Sequence, residues 1–435
     1  MTDAAGTAPD QLAGRTRPTI GELIRSTEVD LRLFGMVGAL IAIWIGLGLA
    51  KPDIISPVNF LTFSVQAAGI AILATGMVLV IVSRNIDLSV GSVVGLIGMF
   101  YAWIMADIFP ITIGVDHPIG WLLALILGFG LGAGIGAFQG FLIAYGGIPS
   151  FVVTLGGLLG FRGLIWVVSG GTTIAPVDKT FQLLSGGPEG SLGGTLSWVF
   201  GIVISVAAVL LLLNARRQRR KFGFAMRPLW VEAVLGIVSI AIVLGAVWVA
   251  NSYHWPAGLA TQYAVAHGIE EPPGGLQIEA GIPIPLVVVI VITIFMTFLA
   301  TRRRFGRDIF AYGGNPDAAD LAGINTRWTI MKTFILMGML CSISAAIAAA
   351  RLNSGTLDLG QGYELYVIAA AVIGGTSFAG GIGTIPGAIL GALIMQSLQY
   401  GLGFLGFNSP IVNIVAAVVL VAVVGIDSWN RRRAR

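Results

Sequence analysis

A chain of 435 residues with 56% hydrophobic and only 11% charged residues is no ordinary soluble domain, since such domains carry about 25% charged residues. Its mean hydropathy of +0.90 places it among integral membrane proteins. The formal charge of +4 does not point to nucleic acid, because the basic residues cluster at the ends of apolar runs, where they set membrane topology.

Taken in chain order, residues 1–33 form a polar N-terminal tail. The tail lacks a charged start followed at once by an apolar stretch, so it does not read as a cleaved signal peptide. A membrane-spanning helix needs about 20 apolar residues. Twelve segments qualify: 34–50, 60–82, 89–106, 119–144, 150–169, 195–213, 230–250, 284–300, 328–350, 362–377, 384–404 and 410–427. The fold expected is an all-α, polytopic helical bundle followed by a basic tail, 428–435. Arg15, Arg17, Arg25 and Arg32 precede the first span, ARRQRRKFGFAMR (215–227) follows the sixth, TRRRFGR (301–307) the eighth, and RRRAR closes the chain. With twelve spans and both termini in the cytoplasm, all four clusters fall inside. The opposite loops agree: 251–283 carries Glu270, Glu271 and Glu279, and 107–118 carries Asp107 and Asp116, with no Lys or Arg in either. The turn at 376–383 is cytoplasmic by count but has no basic residue.

Glycine is abundant, at 61 residues. Runs such as GFGLGAGIGAFQG (128–140) and GAILGALIM (387–395) present small residues at helical spacing, the pattern that lets membrane helices approach closely. An internal echo stands out as well. VIVSRNIDLSVGSVVGLIG (80–98) aligns with VIGGTSFAGGIGTIPGAIL (372–390), matching Gly91 with Gly383, Ser92 with Thr384 and Gly95 with Gly387. Repeats with Gly- or Pro-interrupted segments at matching positions point to a translocation path. The polar residues of the two motifs, Asn85, Asp87, Ser89, Ser92, Thr376, Ser377 and Thr384, are therefore the path candidates. Asn85 or Asp87 would alternatively cap the helix that follows. Arg162, inside the span 150–169, joins the list because a buried charge costs about 2.5–3.5 kcal/mol near a helix centre. A structural role, as a buried pair or an interface anchor, accounts for it equally.

The single cysteine, Cys341, rules out an intrachain disulfide, and His117, His254 and His267 never stand at metal-ligand spacing. No lysine follows a glycine, so there is no phosphate-binding P-loop, and no HExxH or GxSxG motif occurs. Neither an enzyme nor an ATPase is expected. An ion-coupled carrier would need intramembrane acids, for which only Asp87 and Glu364 are main candidates.

The stretch AYGGNPDAADLAGIN (311–325) is a polar island. Asn315 suits an N-cap and Pro316 the first helical position. Asp317 complements the helix dipole, and Gly323 stands where a glycine stops a helix. A helix of about six or seven residues between two spans looks like a knob for another protein's groove.

FGRDIFAYGGNPDAADLAGIN strongly resembles the coupling loop of monosaccharide ATP-binding-cassette (ABC) importer permeases of the ribose/galactose/xylose type. VIGGTSFAGGIGTIPGAILGALI, MVLVIVSRNIDLSVGSVVGL and IPSFVVTLGGLLGFRGL resemble further signatures of that family. The resemblance covers roughly 34–427. An additional span pair at about 195–250, together with SRNIDLSVGS and GGTTIAP, resembles the xylose branch, so about ten core helices plus an inserted pair are expected. The resemblance implies a bacterial inner-membrane permease that binds no cofactor itself. Its implied partners are an ATPase subunit that binds ATP, a periplasmic sugar-binding protein, a monosaccharide and a second permease chain, a homodimer by default. It also implies that Gly313, Gly314, Asn315, Pro316, Ala318, Ala319, Leu321, Gly323 and Ile324 form the ATPase-coupling element.

Overall fold

The computed structural model describes residues 31–434 apart from 225, 227, 271, 273 and 274. Residues 1–30 of the N-terminal tail, with Arg15, Arg17 and Arg25, and also Glu271 and Arg435, lie outside the described residues. Among the described residues fifteen α-helices of six or more residues organise the chain: α1 Leu31–Ala50, α2 Pro57–Val82, α3 Val90–Trp103, α4 Gly120–Ala144, α5 Ser150–Ser169, α6 Gly194–Lys221, α7 Leu229–Asn251, α8 Ala257–His267, α9 Ile284–Arg302, α10 Arg304–Gly314, α11 Pro316–Leu321, α12 Thr326–Leu352, α13 Tyr363–Ile373, α14 Ile385–Phe404 and α15 Ser409–Ala434. Among the described residues nine helices are long and apolar enough to cross a membrane, and the shorter apolar stretches Gly35–Ala50, Tyr363–Ile373 and Ser409–Ala422 supply the other three expected segments. The chain is a polytopic helical membrane protein.

Several helices run past their expected bounds, α6 to Lys221 and α15 to Ala434 among them, and two boundaries differ for a local reason. The third span does not stop at 106; it runs on to Thr112 through one wider, π-type turn at Ile104–Ile108. Pro110 reads in the sequence as the start of a loop, yet an irregular turn ahead of a proline absorbs its missing N–H. Asp107 therefore sits in the helix extension. The tenth span is shorter than expected. The 11 residues of α13 cover about 16 Å, about half of a bilayer core.

The centre is α2, buried almost without a break from Phe63 to Val82. It packs against α12, α14, α9 and α13. The tightest pair is α4 with α12, and the glycine run explains it. A Cβ on Gly132 would strike Gly338 O, one on Gly136 would strike Phe334 O, and one on Gly140 would come within 2.9 Å of Met331 Cα. These glycines recur every fourth residue, along one helical face. Backbone thus meets backbone, as small-residue membrane interfaces allow. The second glycine run behaves alike, with Gly387 against Gly374 and Gly391 against Ala370 O. In contrast, α6 and α7 pack mainly on each other and expose most of their surface. They form the peripheral pair that the sequence marks as an insertion.

Connections gather at two ends. At one, Gly381 N donates to Val82 O over 3.0 Å and Arg84 reaches Gly313. The basic residues ending α6 and those around α10 belong to connections at this end by helix count. At the other, Ile174 bridges Gly355, Ser191 bridges Pro283 and His254 bridges Glu279, and Lys179 pairs with Asp116 at 3.6 Å. The two echo motifs are both helix–turn–helix units whose turns share the first end. Their registers differ, however. Thr384 caps α14 by accepting from Gly387 N, whereas its counterpart Ser92 lies inside α3 and donates to Leu158 O over 3.0 Å.

The helix packing carries a test. Gly136→Ala is expected to destabilise the chain by about 1–3 kcal/mol, the range for overpacking. Gly134→Ala, where a Cβ meets nothing within 4 Å, is expected to be neutral or stabilising. Thermal unfolding in detergent compares them. Equal melting temperatures would contradict the backbone-to-backbone packing of α4 on α12.

Candidate functional site

Two polar turns interrupt the bundle. In the first, residues 83–89, Ser83, Asn85, Asp87 and Ser89 are buried. Asp87 Oδ1 accepts from Ser89 N at 2.9 Å and Ser89 Oγ at 2.6 Å. Ser89 Oγ in turn accepts from Gln139 Nε2 of α4 at 2.8 Å. Ser150 Oγ, at the start of α5, accepts from Ile86 N at 3.2 Å. Burial pushes the Asp87 carboxyl up from its ordinary value, and the two bonds from Ser89 pull it the other way. The capping reading fails for Asp87: Ser89 is the N-cap of α3 and the helix has no side-chain cap, while Asp87 closes a turn on the Ser89 amide just ahead of it. It fails also for Asn85, whose Nδ2 turns back to Ser83 O at 2.8 Å and Ser83 Oγ at 3.1 Å.

The second turn, residues 374–384, buries Thr376 and Ser377 and exposes Thr384. Ser377 Oγ accepts from Ala379 N at 3.1 Å. Thr376 Oγ1 is buried with no hydrogen-bond partner. The two turns adjoin: a Cβ on Gly383 would lie 2.9 Å from Val82 Cγ2 and 3.1 Å from Thr376 Cγ2.

Arg162 stands apart from both turns. Its Nη1 donates to the carbonyls of Leu357 and Leu359, each at 3.1 Å, in the loop that meets Ile174 at the opposite end. The carboxylates of Glu364 and Asp358 act on it electrostatically. It is thus a half-buried anchor of that loop. The loop needs anchoring because it lies directly on α3: a Cβ on Gly95 would come 2.5 Å from Leu359 O.

The segment 311–325 folds locally as expected. Asn315 Oδ1 accepts from Ala318 N at 3.0 Å, Pro316 opens α11, and Asp317 lies in its first turn. Gly323 has φ +77°, and Ile324 N returns to Ala319 O at 3.1 Å. Asn325 then caps α12, accepting from Trp328 N at 2.9 Å. Leu321 is 90% exposed and Ala318 and Gly314 are exposed, whereas Ala319 and Gly313 are buried against the protein. The outward face of α11 therefore runs through Ala318 and Leu321 and excludes Ala319.

Sequence reasoning missed three parts of this arrangement. One is α10, an amphipathic helix with Ile309 buried and Arg304 exposed, Arg304 pairing with Asp308 at 3.8 Å. The apolar residues Phe305, Ile309 and Phe310 beside the arginines were the available signal. The other two are Gln139, which sits among glycines, and Arg84, inside SRNIDLSVGS.

A bundle of interrupted helices around buried polar turns, with a capped helix standing out at its basic end, defines a membrane permease. Residues 59–424 match the family described as the branched-chain amino acid transport system / permease component, and the chain belongs to that family. It is 34% identical to the xylose transport system permease protein XylH of Escherichia coli (strain K12), over 96% of this chain and 97% of that one. It is 33% identical to the corresponding protein of Haemophilus influenzae (strain Rd), over 94% of this chain and 100% of that one. The ribose import permease protein RbsC of E. coli (strain K12) is 31% identical over 87% of this chain and 88% of its own length. No solved structure matches the chain significantly.

Asp87 yields a direct prediction. Asp87→Asn, which keeps an acceptor for Ser89 N–H, is expected to stay close to wild type in thermal stability. Asp87→Ala is expected to lose about 1–3 kcal/mol, the usual cost of leaving buried hydrogen-bonding groups without their partner. Indistinguishable melting curves for the two would remove the turn-closing role of Asp87.

Proposed function

We propose that this chain is the membrane-spanning subunit of an ABC importer for a monosaccharide, with D-xylose its substrate. The observation that carries the reading is α11: a capped, exposed short helix at the basic end, with Leu321 standing free on it. Such a helix suits insertion into a groove of a cytoplasmic ATPase. The family description speaks of amino acids, but the relatives that run nearly the full length of the chain are sugar permeases. The xylose permeases match over 96% and 94% of the chain and the ribose permease over 87%. The greater span of the xylose relatives favours xylose. A related sugar is the second reading, supported by the ribose permease and by an allose permease at 26% identity.

In this reading the end bearing α10 and α11 faces the cytoplasm, the chain lies in the bacterial inner membrane with both termini inside, and two copies enclose the path. A periplasmic binding protein delivers sugar at the opposite end, where a cleft of about 460 Å³ is lined by Asp116, His117, Asp178 and Asn353. Closing of an ATP-bound ATPase pair displaces α11, and the bundle turns its access from one side to the other. The residues of the two polar turns line the route, Asn85, Asp87, Ser89, Thr376, Ser377 and Thr384, with Ser92 on α3 beside them and Arg162 nearer the delivery end. An uncharged sugar needs hydroxyls and amides that bind weakly. An ion-coupled cycle has less support, because Asp87 and Glu364 are the main acids the spans offer to carry it.

The experiment is to extract the tagged chain gently from its native membrane and count the proteins that come with it. An ATPase at one copy per permease is expected. Gly314→Arg and Leu321→Arg, both on the open surface, are expected to abolish its retention while the permease accumulates normally. A permease that purifies alone yet moves sugar under an ion gradient would overturn the reading. Hydrolysis by the intact complex is then expected to rise with a xylose-loaded binding protein; a response to ribose alone would replace xylose in the proposal.

A further inference from the structure

Arg84 is the least ordinary residue near the coupling element. It is exposed, it follows the last turn of α2, and its φ is +59°, in the left-handed region that residues with a side chain rarely occupy. That conformation persists only where the surroundings determine it. Here they do. Arg84 Nε donates to Gly313 O at 2.8 Å and Nη2 to Gly314 O at 3.0 Å. These are the final carbonyls of α10, which have no intrahelical N–H to accept. A cation there also complements the helix dipole, and the planar guanidinium fork fits two adjacent carbonyls in a way an ammonium does not.

The same point receives the second polar turn. Gly381 N donates to Val82 O, one residue from Ser83. Gly380 and Gly381 both have positive φ. A Cβ at 380 would lie 2.5 Å from Arg84 Cγ, and one at 381 would lie 2.9 Å from Gly314 Cα. A Cβ on Gly313 would strike Val82 O. Three segments distant in sequence thus meet with no compressible side chain between them: the α2–α3 turn, the α13–α14 turn and the end of α10. The next residue, Asn315, caps α11.

We infer that Arg84 is a positioning residue for transport: its guanidinium fork locks the end of α10 to both polar turns, so that displacement of α11 moves the two turns together. This rests on the proposed ATPase coupling. Arg84 belongs to the α2–α3 turn and not to α11, so removing it is expected to leave the Leu321 face in place and to cut the transmission behind it. A mere topology charge would be served equally by lysine; the fork is not.

The test uses the whole complex in proteoliposomes, comparing wild type, Arg84→Gln and Arg84→Lys. It reads ATPase copies retained and sugar moved per ATP hydrolysed, normalised to intact complex. Both variants are expected to retain the ATPase at the wild-type ratio. Arg84→Gln is expected to lower sugar moved per ATP about tenfold or more, in keeping with loss of two charge-assisted hydrogen bonds. Arg84→Lys is expected to recover only part of it. A wild-type ratio in Arg84→Lys would reduce Arg84 to a simple charge and overturn the fork. Loss of the ATPase from Arg84→Gln would make Arg84 part of the docking surface, and failure of both variants to accumulate would make it a folding residue; either overturns the inference. The wild-type arm reports separately on the proposed function, since a wild-type complex without ATPase would end that reading before the variants are compared.

Discussion

Backbone that leaves a helix inside a bilayer has no water to bond with, so the protein must supply every partner or enclose the break. That constraint organises this chain. The turn at 83–89 finds its partners in Gln139 of α4, the start of α5 and the end of α10, and the turn at 374–384 docks on Val82. Asp87, Ser89 and Gln139 form a chain of hydrogen bonds that joins the first turn to α4. The proposed path relies on this enclosure of polar groups.

Enclosure of that kind demands close helices, and glycine provides them. Between α4 and α12 backbone atoms touch with no side chain intervening, and Tyr101 of α3 closes over Gly128 while its hydroxyl meets Ser342 Oγ at 2.7 Å. Contacts between backbones do not yield by rotamer changes. A displacement of α12 would therefore be passed to α4 nearly whole, and in the proposed cycle α11, which leads into α12 through the Asn325 cap, would act on a stiff body.

Much of this was legible in the sequence, and the reason is periodicity. All twelve apolar segments became helices, because long hydrophobic runs in a chain this poor in charge have few alternatives. The short helix α11 was legible in its bounds: Asn315, Pro316 and Gly323 each impose a local geometry that depends little on tertiary context. What stayed hidden depends on packing. Nothing local shows that Ala319 faces inward while Ala318 faces out, or that Arg162 spends its charge on the carbonyls of Leu357 and Leu359. The echo between 80–98 and 372–390 was real as a pattern of elements but not as a register, since helix starts follow caps and not alignment. Arg84 was passed over because an arginine at a helix end reads as topology. Its strained backbone and paired acceptors appear only once the two turns and α10 are brought together.

The peripheral pair α6–α7 bears on how the chain is made. It contains its own closure, an ion pair between Arg216 and Glu232 near the basic hairpin and a close approach of Gly201 to Val247 Cγ2 farther along. Its attachment to the bundle is small, centred on Val247, Ala250 and Ile282 with Leu61 and Leu286 beside them. A hairpin that satisfies itself can leave the ribosome's insertion machinery as a finished unit, without waiting for α9 to α15 to be synthesised. Its small contact with α2 leaves the central helix to be buried by α9, α12, α13 and α14, all of which follow the hairpin in the chain.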